Sequence, residues 1–287
     1  APIATPINAK ETVLRSASAL AITLIKNATS DSRYTRKLSQ WAILVEWAPP
    51  TALILGGLIQ QRLDWHYNFV IIAILSVGLI TLASLTIPKE QRDTSASPGT
   101  SVTQKVGMII GSYKDPQFLA YSIMYSLIVS GQIVFYTISP FYLIHTLGMS
   151  PNDYGLSLIP YFAALIVGSA LPGPMQRHFS SITILRIALA LGFVGSVSIL
   201  AFSLNGQQAV WTLVAPMVLY GLCHAILGLQ VEVKVSGFFS ETPIANLGLL
   251  GLTLAGVSAA ISVIASHVPS DSATPIAVFL LLLVSVS

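Results

Sequence analysis

Nine apolar runs, three before and six after one long polar stretch, constrain this chain more than anything else in it. The polar stretch extends from Pro88 to Asp115 and carries Lys89, Arg92, Lys105 and Lys114. A helix needs roughly 20 predominantly apolar residues to cross a bilayer. Runs near 12–27, 41–60, 67–87, 117–146, 153–173, 182–204, 209–231, 243–267 and 275–287 approach or reach that length, the first and last being short. They are too long for the strands of a membrane barrel and lack its alternation. The fold class they predict is an all-α polytopic membrane protein with about nine transmembrane helices. Charge agrees, because charged residues make up only 9% of the 287 where a soluble domain carries about 25%.

The location of the few charges sets an orientation. Basic residues gather on alternate connectors: Lys26, Arg33, Arg36 and Lys37; then Lys89 to Lys114; then Arg177 and Arg186; then Lys234. The opposite connectors, 61–66, 147–152, 205–208 and 267–274, hold only Arg62. Lys and Arg accumulate on the cytoplasmic side, so the linker 88–116 is expected there. No basic run points to nucleic acid. The single cysteine, Cys223, excludes an internal disulfide or a CxxC site, and the five histidines show no metal-ligating spacing. No cofactor, metal or enzymatic chemistry is therefore expected. The N-terminal APIATPINAKE lacks the basic and short apolar regions of a signal peptide. It opens without Met, and the last run stops soon after it starts, so a longer parent chain is expected.

Several runs carry residues that disturb helices: Pro49 and Pro50 followed by Gly56 and Gly57, then Pro140, Pro160, Pro172, Pro174 and Pro216. In lipid such breaks persist where freed backbone groups are buried in protein or line a cavity, as in transporters. Small residues at Gly251, Ala255 and Ala259 have the spacing of a close helix contact, and plain packing is the expected use. Ser122, Tyr125, Gln132, Tyr136 and Ser139 recur at three- and four-residue steps, with Val129 in the gap, and share one helix face. A greasy, weakly polar ligand in a cavity suits that face; hydrogen bonds between helices are the plainer alternative. Tyr220 and His224, four apart, are the other cavity candidates, against a satisfied packing role for the histidine. Glu46 is the acidic residue clearly inside a run. It is either a proton-coupling group or one that reaches the interface.

The blocks Ser139-Pro140-Phe141, Gly148-Met149-Ser150-Pro151 and Tyr154-Gly155 resemble the seventh helix and following loop of the major facilitator transporters, specifically the bicyclomycin-resistance (Bcr/CflA) type of drug:proton antiporter. Ala48-Pro49 with Gly56-Gly57 resembles that family's fifth-helix antiporter motif, and Asp64 to Phe69 its entry to helix six. Arg15 falls where the fourth-helix motif has its arginine, with Ser18 and Ala19 in place of the motif's glutamine and glycine. As a family match Arg15 lines the cavity or steers protons; the alternative is an arginine snorkelling to the interface.

The resemblance implies twelve helices in two bundles, of which this chain supplies the equivalents of helices 4–12. Residues 1–87 become the remainder of the N-terminal bundle (helices 4–6), 88–116 a cytoplasmic linker, and 117–287 a six-helix C-terminal bundle with a truncated last helix. It further implies a monomer in a bacterial inner membrane that exports amphipathic drugs or other small organic compounds in exchange for protons. Two other readings stay open: a facilitator or importer of a small metabolite, and a truncated membrane fragment that does not transport.

Overall fold

A computed structural model describes residues 31–48, 51–52, 55–56, 59, 63–64, 66–86, 111–238, 243–268 and 272–287. Among these residues the regular structure is helical, with no strand. Helix α1 (Asp31–Glu46) and everything described from Gly111 onward belong to one compact unit. Helix α2 (His66–Thr86) belongs to a second, formed within Ala48–Met108.

Helix α2 occupies the expected run 67–87. Hydroxyls along its middle and last turns bond its own backbone: Ser76 donates to the Ile72 carbonyl at 2.7 Å, Thr81 to that of Val77 at 2.8 Å and Ser84 to that of Thr81 at 2.7 Å. Polar groups satisfied inside one segment let that segment face hydrocarbon. Just before it, Asp64 and His66 approach to 3.3 Å in an exposed pair, a kind of contact that contributes little.

In the larger unit, α3 (Pro116–Pro140) is capped by Asp115, whose carboxylate accepts from the backbone N–H of Gln117 and Phe118, with Pro116 opening the helix. Pro140 lacks an N–H and its ring crowds the carbonyl four residues back. At that point the helix widens into a π-helical turn, Phe141–Thr146, closed by Leu147 N–H on the Tyr142 carbonyl at 3.1 Å. Gly148 then takes φ +72° to reverse the chain, a value that favours glycine. Ser150 caps α4 (Pro151–Ser157). The expected run 153–173 is this helix followed by α5 (Ile159–Ala170) and the short α6 (Pro172–Met175), with prolines near each junction.

Helices α7 (Ser181–Leu204), α8 (Val210–Gly237), α9 (Pro243–Ser266) and α10 (Thr274–Val286) complete the unit. Helix α8 is its axis and packs against α1, α3, α5, α7 and α9. Small residues allow the close approaches. A Cβ on Gly195 would meet the Pro216 carbonyl oxygen at 2.7 Å, and one on Gly168 would meet Ala225 Cβ at 2.8 Å. Five helices of the described residues are long and apolar enough to cross a membrane, all in this unit.

Three expectations need correction. The run expected at 41–60 corresponds to a helix that starts ten residues earlier, at Asp31, and takes in the basic connector. Near its middle Leu38 and Ser39 are buried while Arg36, Lys37 and Gln40 are exposed, so this part of the helix is held by packing rather than by apolar content. The run expected at 209–231 continues to Gly237, which brings Glu232 and Lys234 into the helix. The stripe Gly251, Ala255 and Ala259 is exposed, and Gly251 has no described neighbour within 4 Å of its would-be Cβ. The packed side of α9 is instead marked by Asn246, Leu249, Leu250 and Ser258.

Candidate functional site

Helix α1 leans on α5 and α8 in the larger unit. Between them lies a cavity of about 210 Å³ whose wall includes Trp41, Val45, Tyr125, His224, Gly228 and Glu232. The α8 contribution follows from helical spacing. His224, Gly228 and Glu232 are four apart and therefore stack on one face. With no side chain at Gly228, the Tyr125 ring can lie across α8, where an added Cβ would come 2.7 Å from the tyrosine oxygen. Tyr125 also packs against His224, ring centroids 5.9 Å apart and planes tilted by 59°. Apolar and aromatic walls with a few polar groups are the composition of a small-molecule site.

The structure distributes the sequence candidates unevenly. Tyr125 and His224 meet at this cavity. Gln132 and Tyr136, both half-buried, pair with each other, the amide Nε2 donating to the tyrosine oxygen at 3.0 Å. The Tyr136 ring lies edge-on to Tyr161, 6.0 Å between centroids. Ser139 is buried and hydrogen-bonded to the Tyr154 hydroxyl at 3.1 Å. Tyr220 is fully buried in the helix packing and donates to the Ile128 carbonyl at 2.8 Å, a clamp between α8 and α3.

Among the motif residues, Pro140 starts the π-helical turn, Gly148 makes the reversal, Pro151 begins α4 and Gly155 lies within it. Gly56 is helical and half-buried, 3.6 Å from Asn68 Oδ1 at its would-be Cβ. Glu46 ends α1, and its side chain lies outside the described residues, as do Arg15, Pro49 and Gly57 altogether.

Sequence reasoning missed Trp41, Gly228 and Glu232. The signal for two of them was available: a polar residue, a glycine and an acid at steps of four on one helix. It was obscured because the apolar run was ended at residue 231, one residue short of the acid. Trp41 carried no such mark, since only the packing of α1 brings it to the cavity.

The family model described as "Major Facilitator Superfamily" matches residues 15–263. An uncharacterized transporter of Rickettsia bellii is 25% identical over 200 residues, 66% of this chain and 48% of that protein. A bicyclomycin resistance protein homolog of Haemophilus influenzae is 22% identical, covering 61% of this chain and 44% of its own length. A probable sugar efflux transporter of Pasteurella multocida is 22% identical, covering 76% and 50%. The chain thus spans about half the length of the curated relatives it matches.

Proposed function

The chain belongs to the Major Facilitator Superfamily, and from that membership we propose that it works in secondary active transport, as part of a proton-coupled exporter of amphipathic drugs or other small organic compounds. The observation that carries this reading is the cavity between α1, α3, α5 and α8, where aromatic faces from Trp41 and Tyr125 meet the polar groups of His224 and Glu232. A relative with a bicyclomycin-resistance name supports export of a drug-like compound. The sugar efflux relative supports outward transport of a more polar one. In this proposal the protein sits in a bacterial inner membrane as a monomer with the 88–116 linker in the cytoplasm. Residues 1–87 are assigned to the remainder of one helix bundle and 117–287 to the other, the two-bundle arrangement that alternating access uses in such transporters.

Proton coupling is assigned to carboxylates at membrane depth, which are costly there and persist for function. Glu46 and Glu232 are the candidates, with Arg15 as the steering cation. Proteoliposomes carrying the protein, loaded with a lipophilic dye, chloramphenicol or a monosaccharide, test the proposal under an imposed proton gradient. Gradient-driven movement of the dye or the antibiotic, abolished by a protonophore and clearly weakened by Glu46→Gln, is expected. Movement indifferent to the gradient would replace the antiporter with a facilitator. Labelling of a cysteine placed at Lys105 from outside intact cells would overturn the orientation.

A further inference from the structure

Helix α7 carries a single charged residue, Arg186, and it lies on the exposed side of the helix. Ile182, Arg186, Ala190, Phe193, Val197 and Leu204 are all exposed and recur at steps of three, four and seven, so they form one face. The opposite side, with Leu185, Ala188, Gly192 and Ser196, is buried where α7 packs on α8 and α10. In a helix long and apolar enough to cross a membrane, the exposed apolar face is the one for hydrocarbon. A guanidinium there stays charged and is costly unless something pairs it. Among the described residues no carboxylate does so. We propose that a lipid supplies the partner: Arg186 and Arg177 together hold the phosphate of an anionic phospholipid, whose acyl chains start against Phe179 and Ile182. The site is independent of what the protein transports.

Depth and direction place the charge at headgroup level. Arg186 lies five residues past Ser181, about 7.5 Å along the axis. The Cα–Cβ bond of a helical residue tilts toward the N-terminus, so the Arg186 side chain is directed back past Ile182 toward the start of α7. Arg177 is kept at that same end by a short turn. Phe179 N–H donates to the Met175 carbonyl at 2.9 Å, and Ser180 Oγ then caps α7 by accepting from Thr183 N–H at 3.2 Å. Arg177, Phe179 and Ile182 are exposed alongside. Water could solvate one snorkelling arginine. Two arginines beside two exposed apolar side chains present charge above and hydrocarbon contact below, the order in which a phospholipid carries them. The guanidinium fork suits phosphate oxygens. Two positive charges favour a lipid with net negative charge over one whose phosphate is balanced by a choline. This end of α7 is the one assigned to the cytoplasm, where anionic lipids draw basic segments to the surface.

Dioleoyl phosphatidylglycerol and dioleoyl phosphatidylcholine separate these requirements, having the same chains and different net charge. Both are supplied in equal amounts to the purified chain in detergent, and native mass spectrometry counts the lipid that stays bound. Phosphatidylglycerol is expected to exceed phosphatidylcholine about tenfold in the singly bound species. Arg186→Gln should bring that ratio close to one, and Arg177→Gln should lower it by a smaller factor. Lys234→Gln, which removes an exposed cation of α8, should leave it unchanged. Excess inorganic phosphate should leave the bound lipid in place. Equal retention of the two lipids by the unmodified chain overturns the proposal without recourse to any variant. So does an unchanged ratio in either arginine variant, or a fall with Lys234→Gln as large as that with Arg186→Gln. Displacement of the lipid by inorganic phosphate would assign the arginines to a free anion and overturn the lipid as its source.

Discussion

Helices α8 and α9 are neighbours of similar length and similar apolar content, yet the larger unit uses them in opposite ways. In the most apolar stretch of α8, 78% of residues are buried inside the protein; in that of α9 the share is 22%. Hydrocarbon is as apolar as a leucine side chain, so a helix gains nothing from hydrophobicity when it chooses between lipid and protein neighbours. Close fit and polar pairing decide instead. Helix α8 has both: Gly221, Gly228 and Tyr220 are set against Tyr161, Tyr125 and Ile128. Helix α9 packs along α3 and against α8 on one face, where Ser258 meets Ser130 of α3 at 3.2 Å and the Leu249 carbonyl accepts from the Tyr113 hydroxyl, and leaves the rest of its surface outside the protein.

The comparison breaks most readily at glycine. Gly195→Ala puts a Cβ 2.7 Å from the Pro216 carbonyl oxygen, a backbone atom of α8 that cannot swing aside. Overpacking of this kind costs about 1–3 kcal/mol, and the thermal midpoint of the chain in detergent, followed by circular dichroism, should fall clearly. Equal melting of Gly195→Ala and the unaltered chain would mean that α7 and α8 do not pack this closely.

Tyr220→Phe removes the clamp to the Ile128 carbonyl and keeps the ring, so a loss of about 1 kcal/mol is expected. An unchanged midpoint would show that lost burial cost had cancelled the bond. On the α9 side, a double-mutant cycle with Ser130→Ala and Ser258→Ala should give a coupling near 0.6 kcal/mol, the average for interhelical hydrogen bonds in a membrane protein. A coupling as large as the effect of Tyr220→Phe would erase the distinction between the two helices. The smallest effect belongs to Gly251→Ala on the exposed face of α9. It should change stability by no more than about 0.5 kcal/mol, and a large drop would reveal a partner on that face.

Much of the fold was legible because bilayer thickness leaves its mark on run length. The runs at 67–87, 182–204, 243–267 and 275–287 correspond to helices of nearly those bounds. What escaped was whatever packing decides. Nothing in Gly251, Ala255 and Ala259 says which side of α9 meets a neighbour, since a small-residue stripe looks the same whether it is used or not. The early start of α1 escaped because Arg36 and Lys37 read as a connector until Leu38 and Ser39 are seen to be buried. In the site, Tyr125 and His224 could be picked out because aromatic and titratable groups are rare at membrane depth. Their convergence depended on Gly228 being small, and a sequence assigns no partner to a gap. Tyr220 is a like case: its hydroxyl looks ready for a ligand in the sequence, and in the structure it donates to the Ile128 carbonyl.

The wide turn at Phe141–Thr146 carries a consequence for how this protein can vary. A π-helical turn is in effect one residue too many in an α-helix, and every residue after it is out of phase by about 100° with the helix before it. Removing one residue between 141 and 146 would let the helix close into regular α form. It would also swing Gly148 and the α4 cap around the axis, away from the reversal that leads into α4. A protein of the same family that lacks the wide turn is therefore expected to show a one-residue gap here when its sequence is set against this one, with compensation in the loop 147–150. The gap would mark a change in helical phase rather than a change in loop length.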